Sequence, residues 1–168
     1  MLLQQSNPNL QNIHIYANDS MGDESGAGGS GGGIILFDSN PIINIMTIQA
    51  NSALYNGGGI VLQASNPIMS NVDINSNTSG IFGGGAVIFE SDPILNNITI
   101  FNNVADSLGG GILVQESNLI MSNMTISGNT ANDFGGGIFV VLSNLTLTNS
   151  IIWDNHPESI NLFSNEQP

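Results

Sequence analysis

The sequence predicts an all-β parallel solenoid of about six coils, each made by one 26-residue unit. Three observations carry this. A Gly-Gly-Gly triplet leading into an apolar run recurs at 57–63, 83–89, 109–115 and 135–141, with an earlier copy at 31–37. The serine after each copy falls at Ser39, Ser65, Ser91, Ser117 and Ser143, 26 residues apart without a slip. Within a unit, apolar residues alternate at period two, the spacing of a strand and not of a helix. A unit of this length is also too short for a strand-helix-strand crossover, which takes roughly 30 residues or more. Equivalent residues of successive units then stack, and each strand pairs with its own copy about 4.8 Å away, leaving no lateral sheet edge.

The elements follow in order. The first unit starts at Ser6 and runs 33 residues to Ser39, and its seven extra residues fall in a Gly-, Ser- and acid-rich insertion at 21–30 that carries Asp23 and Glu24. Insertions in solenoids map to loops. After each starting residue comes Asn7, Asn40, Asn66, Asp92, Asn118 or Asn144, the first four followed by proline. Asn-Pro initiates turns and keeps the residue before proline out of the helical region, so a corner separates two strands here. On the strand that follows, Leu10, Ile43, Met69, Leu95, Met121 and Leu147 form one inward column, Ile13, Met46, Val72, Ile98 and Met124 a second, and Ile15, Ile48, Ile74, Ile100, Ile126 and Ile152 a third.

Asn18, Asn51, Asn77, Asn103, Asn129 and Asn155 form a complete column at the next corner. Stacked amides of this kind form hydrogen-bonded ladders. The triple glycine makes the remaining corner, and on its strand Ile34, Ile60, Ala86, Ile112 and Ile138 face inward with Leu36, Leu62, Ile88, Val114 and Val140. The pattern departs from the repeat after Asn155.

Charge narrows the partners. The 168 residues include no Lys or Arg and thirteen Asp or Glu, for a net charge of -13. Nucleic acid is excluded, because phosphate binding depends on Lys and Arg, and so is an anionic membrane surface. With no cysteine, disulfide and thiol chemistry are absent. No stretch approaches the ~20 apolar residues of a membrane span, and the first residues lack the pattern of a signal peptide. The expectation is one domain over 1–168, a segment of a longer protein whose targeting signal lies outside it.

The pattern Ser-Asn-Pro-Ile-x-x-Asn-x-x-Ile-x-x-Asn, a short turn and Gly-Gly-Gly-Ile-x-Leu resembles the right-handed parallel β-helix repeat proteins of the pectate-lyase-like fold. The likeness is nearest to bacterial secreted and cell-surface proteins, with a fainter one to the polymorphic outer-membrane proteins. It covers Ser6 to Phe163, and the segment 149–158 resembles a final-coil motif. What the resemblance implies is an extracellular or cell-surface location and a role as a non-enzymatic structural or adhesive segment. The alternative is a polysaccharide-binding or polysaccharide-degrading module. Lyases of this fold use calcium held by acidic residues and usually an Arg or Lys base, and this chain has neither basic residue.

Three sets of residues are candidate sites. Asp38, Glu90 and Glu116 share one column at the end of the glycine strand. They read first as a solvated acidic edge, then as a weak site for calcium or another hard cation, and last as the paired carboxylates of a glycoside hydrolase. Tyr16, Phe101 and Trp153 share an outward column beside Asn12, Asn71, Asn97, Asn123 and Asn149, where aromatics and amides would stack on and hydrogen-bond a polysaccharide. Ile35, Val61, Val87, Leu113 and Phe139 make an apolar stripe on the outer face of the glycine strand. Such a stripe calls for a cover: a protein partner, a sister chain or the rest of a parent protein. The triple glycine lacks the following helix and the Lys of a phosphate-binding loop.

Overall fold

The computed structural model describes residues 1–22 and 29–163. Most of the expected insertion at 21–30, with Asp23 and Glu24, lies outside the described residues. The chain is an all-β parallel solenoid with three faces. One is a seven-stranded sheet of the glycine strands, Leu2–Gln4, Ile34–Phe37, Ile60–Gln63, Ala86–Phe89, Ile112–Gln115, Ile138–Val141 and Ile160–Phe163. The second, longer face runs from Asn9–Tyr16 through Ile42–Gln49, Ile68–Asn75 and Ile94–Phe101 to the broken strands of the last two coils. The third is made of two-residue strands: Asp19–Ser20, Ser52–Ala53, Thr78–Ser79, Val104–Ala105 and Thr130–Ala131.

Pairing joins residues one unit apart, as in Ile60↔Ala86↔Ile112↔Ile138. A slip of one residue would turn every aliphatic side chain out to solvent, so burial pins the register. Among the described residues the third face closes five times and the long face repeats six times. The solenoid therefore completes about five full turns, slightly fewer than the six expected. No helix long and apolar enough to cross a membrane occurs among the described residues.

Two departures from the expected coil have physical causes. The two residues after each ladder asparagine from Asn18 to Asn129 pair as a short strand where a plain turn was expected, which gives the unit its third side. The second departure is a break in the period-two alternation, in the middle of the long strand. Pairing passes from Asn96↔Ser70 to Ile98↔Val72 and skips Asn97, whose φ is 53°. Asn12, Ile45, Asn71, Asn123 and Asn149 occupy the same left-handed position on the other coils. One such residue acts as a bulge, so that Leu95 and Ile98, three residues apart, both enter the core. Asparagine tolerates this conformation better than other non-glycine residues.

The interior is one continuous aliphatic stack that includes Ile34, Ile48, Ile60, Met69, Ile88, Ile98 and Ile126. A void of about 10 Å³ among Ile60, Ile88 and Ile98 is too small for any ligand.

Two ladders line the corners. Asn77 donates from its backbone N–H (2.9 Å) and its Nδ2 (3.0 Å) to Asn103 Oδ1, and the same Nδ2 donates to the Ile48 carbonyl at 3.0 Å. The pattern repeats from Asn18 to Asn155. Each interior ladder amide is thus fully hydrogen-bonded, the condition for burying it. The serines form a second ladder that the sequence reading used only as a marker. Ser65 N–H donates to Ser91 Oγ at 2.9 Å, while Ser91 Oγ donates to the Phe89 carbonyl at 2.7 Å.

Each glycine of a triplet meets a separate demand, seen at Gly83, Gly84 and Gly85. Gly83 has a φ of 63°. A Cβ on Gly84 would press on the Val104 and Gly110 carbonyls. One on Gly85 would lie 2.6 Å from the Gly111 oxygen and 3.1 Å from Asn103 Nδ2, so the third glycine lets the backbone rest on the asparagine ladder.

Candidate functional site

The residue before each triplet forms a column of its own. Asn56, Phe82, Leu108 and Phe134 are joined by parallel bridges. Each of their carbonyls accepts the N–H of the first glycine one coil back, as in Gly83 N–H to Leu108 O at 2.9 Å. The left-handed glycine then turns the chain, so that this column stands as a wall beside the outer face of the glycine sheet. Val61, Val87, Leu113 and Phe139 form the floor.

This geometry changes the picture of the apolar stripe. Val87, Leu113 and Phe139 are only 9, 6 and 6% exposed, packed in a small outer cluster with Val61, Phe82, Leu108 and Val141 of the same chain. Ile35 and Val61 are half-buried. What remains open among the described residues is the groove between floor and wall. Its larger part, about 600 Å³, is lined by Phe82, Leu108, Phe134, Leu113, Phe139 and Phe163, with Ser107, Gln115 and Asp133 among its polar groups. Phe163 closes the end by stacking on Phe139, ring centroids 6.3 Å apart. A second part of about 320 Å³ continues past Val61 and Val87 and shares Phe82, Leu113 and Gln115 with the first. Phe134 remains 54% exposed on the wall.

An acidic side chain lines the groove on one side and another stands beside its lining on the other. On the wall side Asp133 Oδ2 accepts from Ser107 Oγ at 2.6 Å. On the floor side Gln115 Nε2 donates to Glu116 Oε1 at 3.1 Å. Glu116 belongs to the column of Asp38 and Glu90, all three at left-handed positions with φ near 50°. Ala64 stands between Asp38 and Glu90 in that column. Asp38 instead accepts from Gln5 Nε2 at 3.3 Å. Among the described residues no group of three or more His, Asp or Glu side chains converges to hold a metal ion.

The aromatic column is dispersed. Register places Gln49 and Asn75 between Tyr16 and Phe101, and Ser127 between Phe101 and Trp153. At about 4.8 Å per coil, Tyr16 and Phe101 are about 14 Å apart along the axis. The neighbouring asparagines are the bulge residues, and three of them donate to an asparagine one coil back: Asn97 Nδ2 to Asn71 Oδ1 at 2.6 Å, Asn71 Nδ2 to Asn44 Oδ1 at 2.7 Å and Asn123 Nδ2 to Asn96 Oδ1 at 2.7 Å.

The groove also locates a likeness to known proteins. Residues 97–115 and 123–141 match the family model of the Chlamydia polymorphic membrane protein repeat. The matches together cover under a quarter of the chain. No curated protein and no solved structure matches it. Each stretch like the polymorphic membrane protein repeat starts at a bulge asparagine and passes the ladder asparagine, the wall residue and the glycine corner. Each ends on the second outward residue of the glycine strand, Gln115 or Val141. Together they supply Ser107, Leu108, Leu113, Gln115, Asp133, Phe134, Phe139 and Val141, most of the larger part of the groove.

The wall column is the feature that sequence reasoning missed. Its signal was present, since the residue before each triplet recurs every 26 positions. It is apolar only at Phe82, Leu108 and Phe134, and Ser30 and Asn56 at the earlier positions read as polar turn.

Proposed function

We propose that this chain is a non-enzymatic structural and adhesive segment of a bacterial surface protein, a stiff spacer that presents a binding groove along one face. The observation that supports it most is that the two stretches similar to the polymorphic membrane protein repeat supply most of the lining of the groove's larger part. Stiffness follows from the architecture. Each coil is held by its neighbours through three sheets and two ladders, so rigidity accumulates by nearest-neighbour terms along the axis. The part that contacts other molecules is the groove and not the packed interior. The separation of Tyr16, Phe101 and Trp153 offers no continuous platform for a polysaccharide.

Antibodies raised against the folded chain should label intact, unpermeabilised cells of the organism that makes it. Labelling only after permeabilisation would contradict a surface role.

A further inference from the structure

We infer that the groove binds an extended, cationic segment of another protein, one that alternates apolar anchors with Lys or Arg. This rests on the proposed surface role only in that it names the partner of that face.

The first argument is shape. From Val61 to Asn161 the floor rises through four coil-to-coil steps, Val61↔Val87↔Leu113↔Phe139↔Asn161. At about 4.8 Å a step this is about 19 Å, the length of about six residues of extended chain at ~3.3 Å each. Alternate side chains of such a segment point the same way, so three would face the floor of Val87, Leu113 and Phe139 while the other three point away from it, where side chains as long as Lys or Arg reach back to the edges.

The second argument is charge. Asp133 lines the wall side, and on the floor side the lining Gln115 holds the Glu116 carboxylate 3.1 Å from its Nε2. The protein has no Lys or Arg anywhere to neutralise them. An occupant with Lys or Arg at its outward positions meets a carboxylate on either side, and its approach is steered by the field of the whole chain. The same field argues against the other occupants. A second copy also carries a charge of -13, and an anionic amphiphile would bring its head group against the same carboxylates.

The test uses the 168-residue chain and fluorescein-labelled nonapeptides read by fluorescence anisotropy. One peptide alternates Lys and Phe, one Lys and Ser, one Glu and Phe. The Lys/Phe peptide is expected to bind at least about tenfold tighter than either control, and more weakly as salt screens the pairs. Phe134→Ser, at an exposed position, should weaken it at least about fivefold. The double change Asp133→Asn with Glu116→Gln should weaken it about threefold and flatten its salt dependence. Equal binding of the Lys/Ser peptide would reduce the effect to diffuse attraction and overturn the proposal. Equal binding of the Glu/Phe peptide, or indifference to both variants, would overturn it too. So would a doubled mass of the free chain by light scattering that Phe134→Ser abolishes, because a second copy would then fill the groove. None of these readouts depends on where the protein resides, so their failure leaves the cell-labelling result standing.

Discussion

Replacing Asn103 by alanine removes one rung from the middle of the asparagine ladder. The side chain is fully buried. Its Oδ1 accepts from Asn77 N–H and Asn77 Nδ2 at 2.9 and 3.0 Å, and its Nδ2 donates to the Ile74 carbonyl and to Asn129 Oδ1 at 3.0 and 2.9 Å. Alanine leaves two donors on Asn77 with no acceptor in a place water does not reach. Each buried orphan costs about 1–3 kcal/mol, so about 3 kcal/mol is expected after partial relaxation. For a chain of this size that corresponds to a fall in Tm of about 6–12 °C, at ~2–4 °C per kcal/mol. Thermal unfolding followed by circular dichroism measures it, with Asn123→Gly as the matched comparison. Asn123 is exposed and sits at the bulge with φ 55°, a conformation glycine adopts freely, so that change should cost under about 0.5 kcal/mol. An Asn103→Ala protein melting within about 2 °C of the parent, with Asn123→Gly falling as far, would refute the ladder as a source of stability.

Three further changes test other parts of the coil. Gly85→Ala places a Cβ 2.6 Å from the Gly111 oxygen and should cost about 2–3 kcal/mol or more, seen as a lower denaturant midpoint. Ile45→Asn should stabilise the protein by about 1 kcal/mol, because a β-branched residue at φ 56° is strained where the other coils carry asparagine; an unchanged or lower midpoint would count against the bulge. Glu158 Oε1 accepts the Gly135 N–H at 2.7 Å, replacing the wall-residue carbonyl that serves this role on earlier coils, and also accepts from Asn161 Nδ2 at 2.9 Å. Glu158→Ala should speed hydrogen exchange at the Gly135 amide while Glu158→Gln preserves its protection; equal exchange in both would remove Glu158 as a cap of the last coil.

Much of the fold was legible because a solenoid writes each structural demand once per coil. The 26-residue spacing of the Asn51-to-Asn155 and triple-glycine columns dictates stacking. Inward aliphatics such as Ile48 and Ile60 stand out because their period is two on either side of a corner. The bulge was harder to read. It holds asparagine in five of its six places, and asparagine is equally at home on an exposed strand, so only the three-residue step from Leu95 to Ile98 betrays it.

The groove was legible in half. The floor appeared as an outward apolar stripe, but the wall did not, since its position varies among Ser30, Asn56, Phe82, Leu108 and Phe134. What decides that Val87, Leu113 and Phe139 are largely covered is the left-handed glycine folding the preceding residue over them. That is a backbone property carried by the triplet and not by the hydropathy of the stripe. The acidic column was legible as a column, while its relation to the groove rim needed the coordinates of Gln115 and Glu116.

The claim on which fold, groove and proposed role all stand is that every unit adds one equivalent coil. Excising residues 66–91, which joins Ser65 to Asp92, removes one coil and sets Asn51 beneath Asn103, Ile60 beneath Ile112 and Val61 beneath Leu113 in the same register. The account expects a folded protein with an unchanged circular dichroism signal per residue, and a long axis shorter by about 5 Å in small-angle scattering. An unfolded or aggregated product, or a folded one of undiminished length, would contradict it.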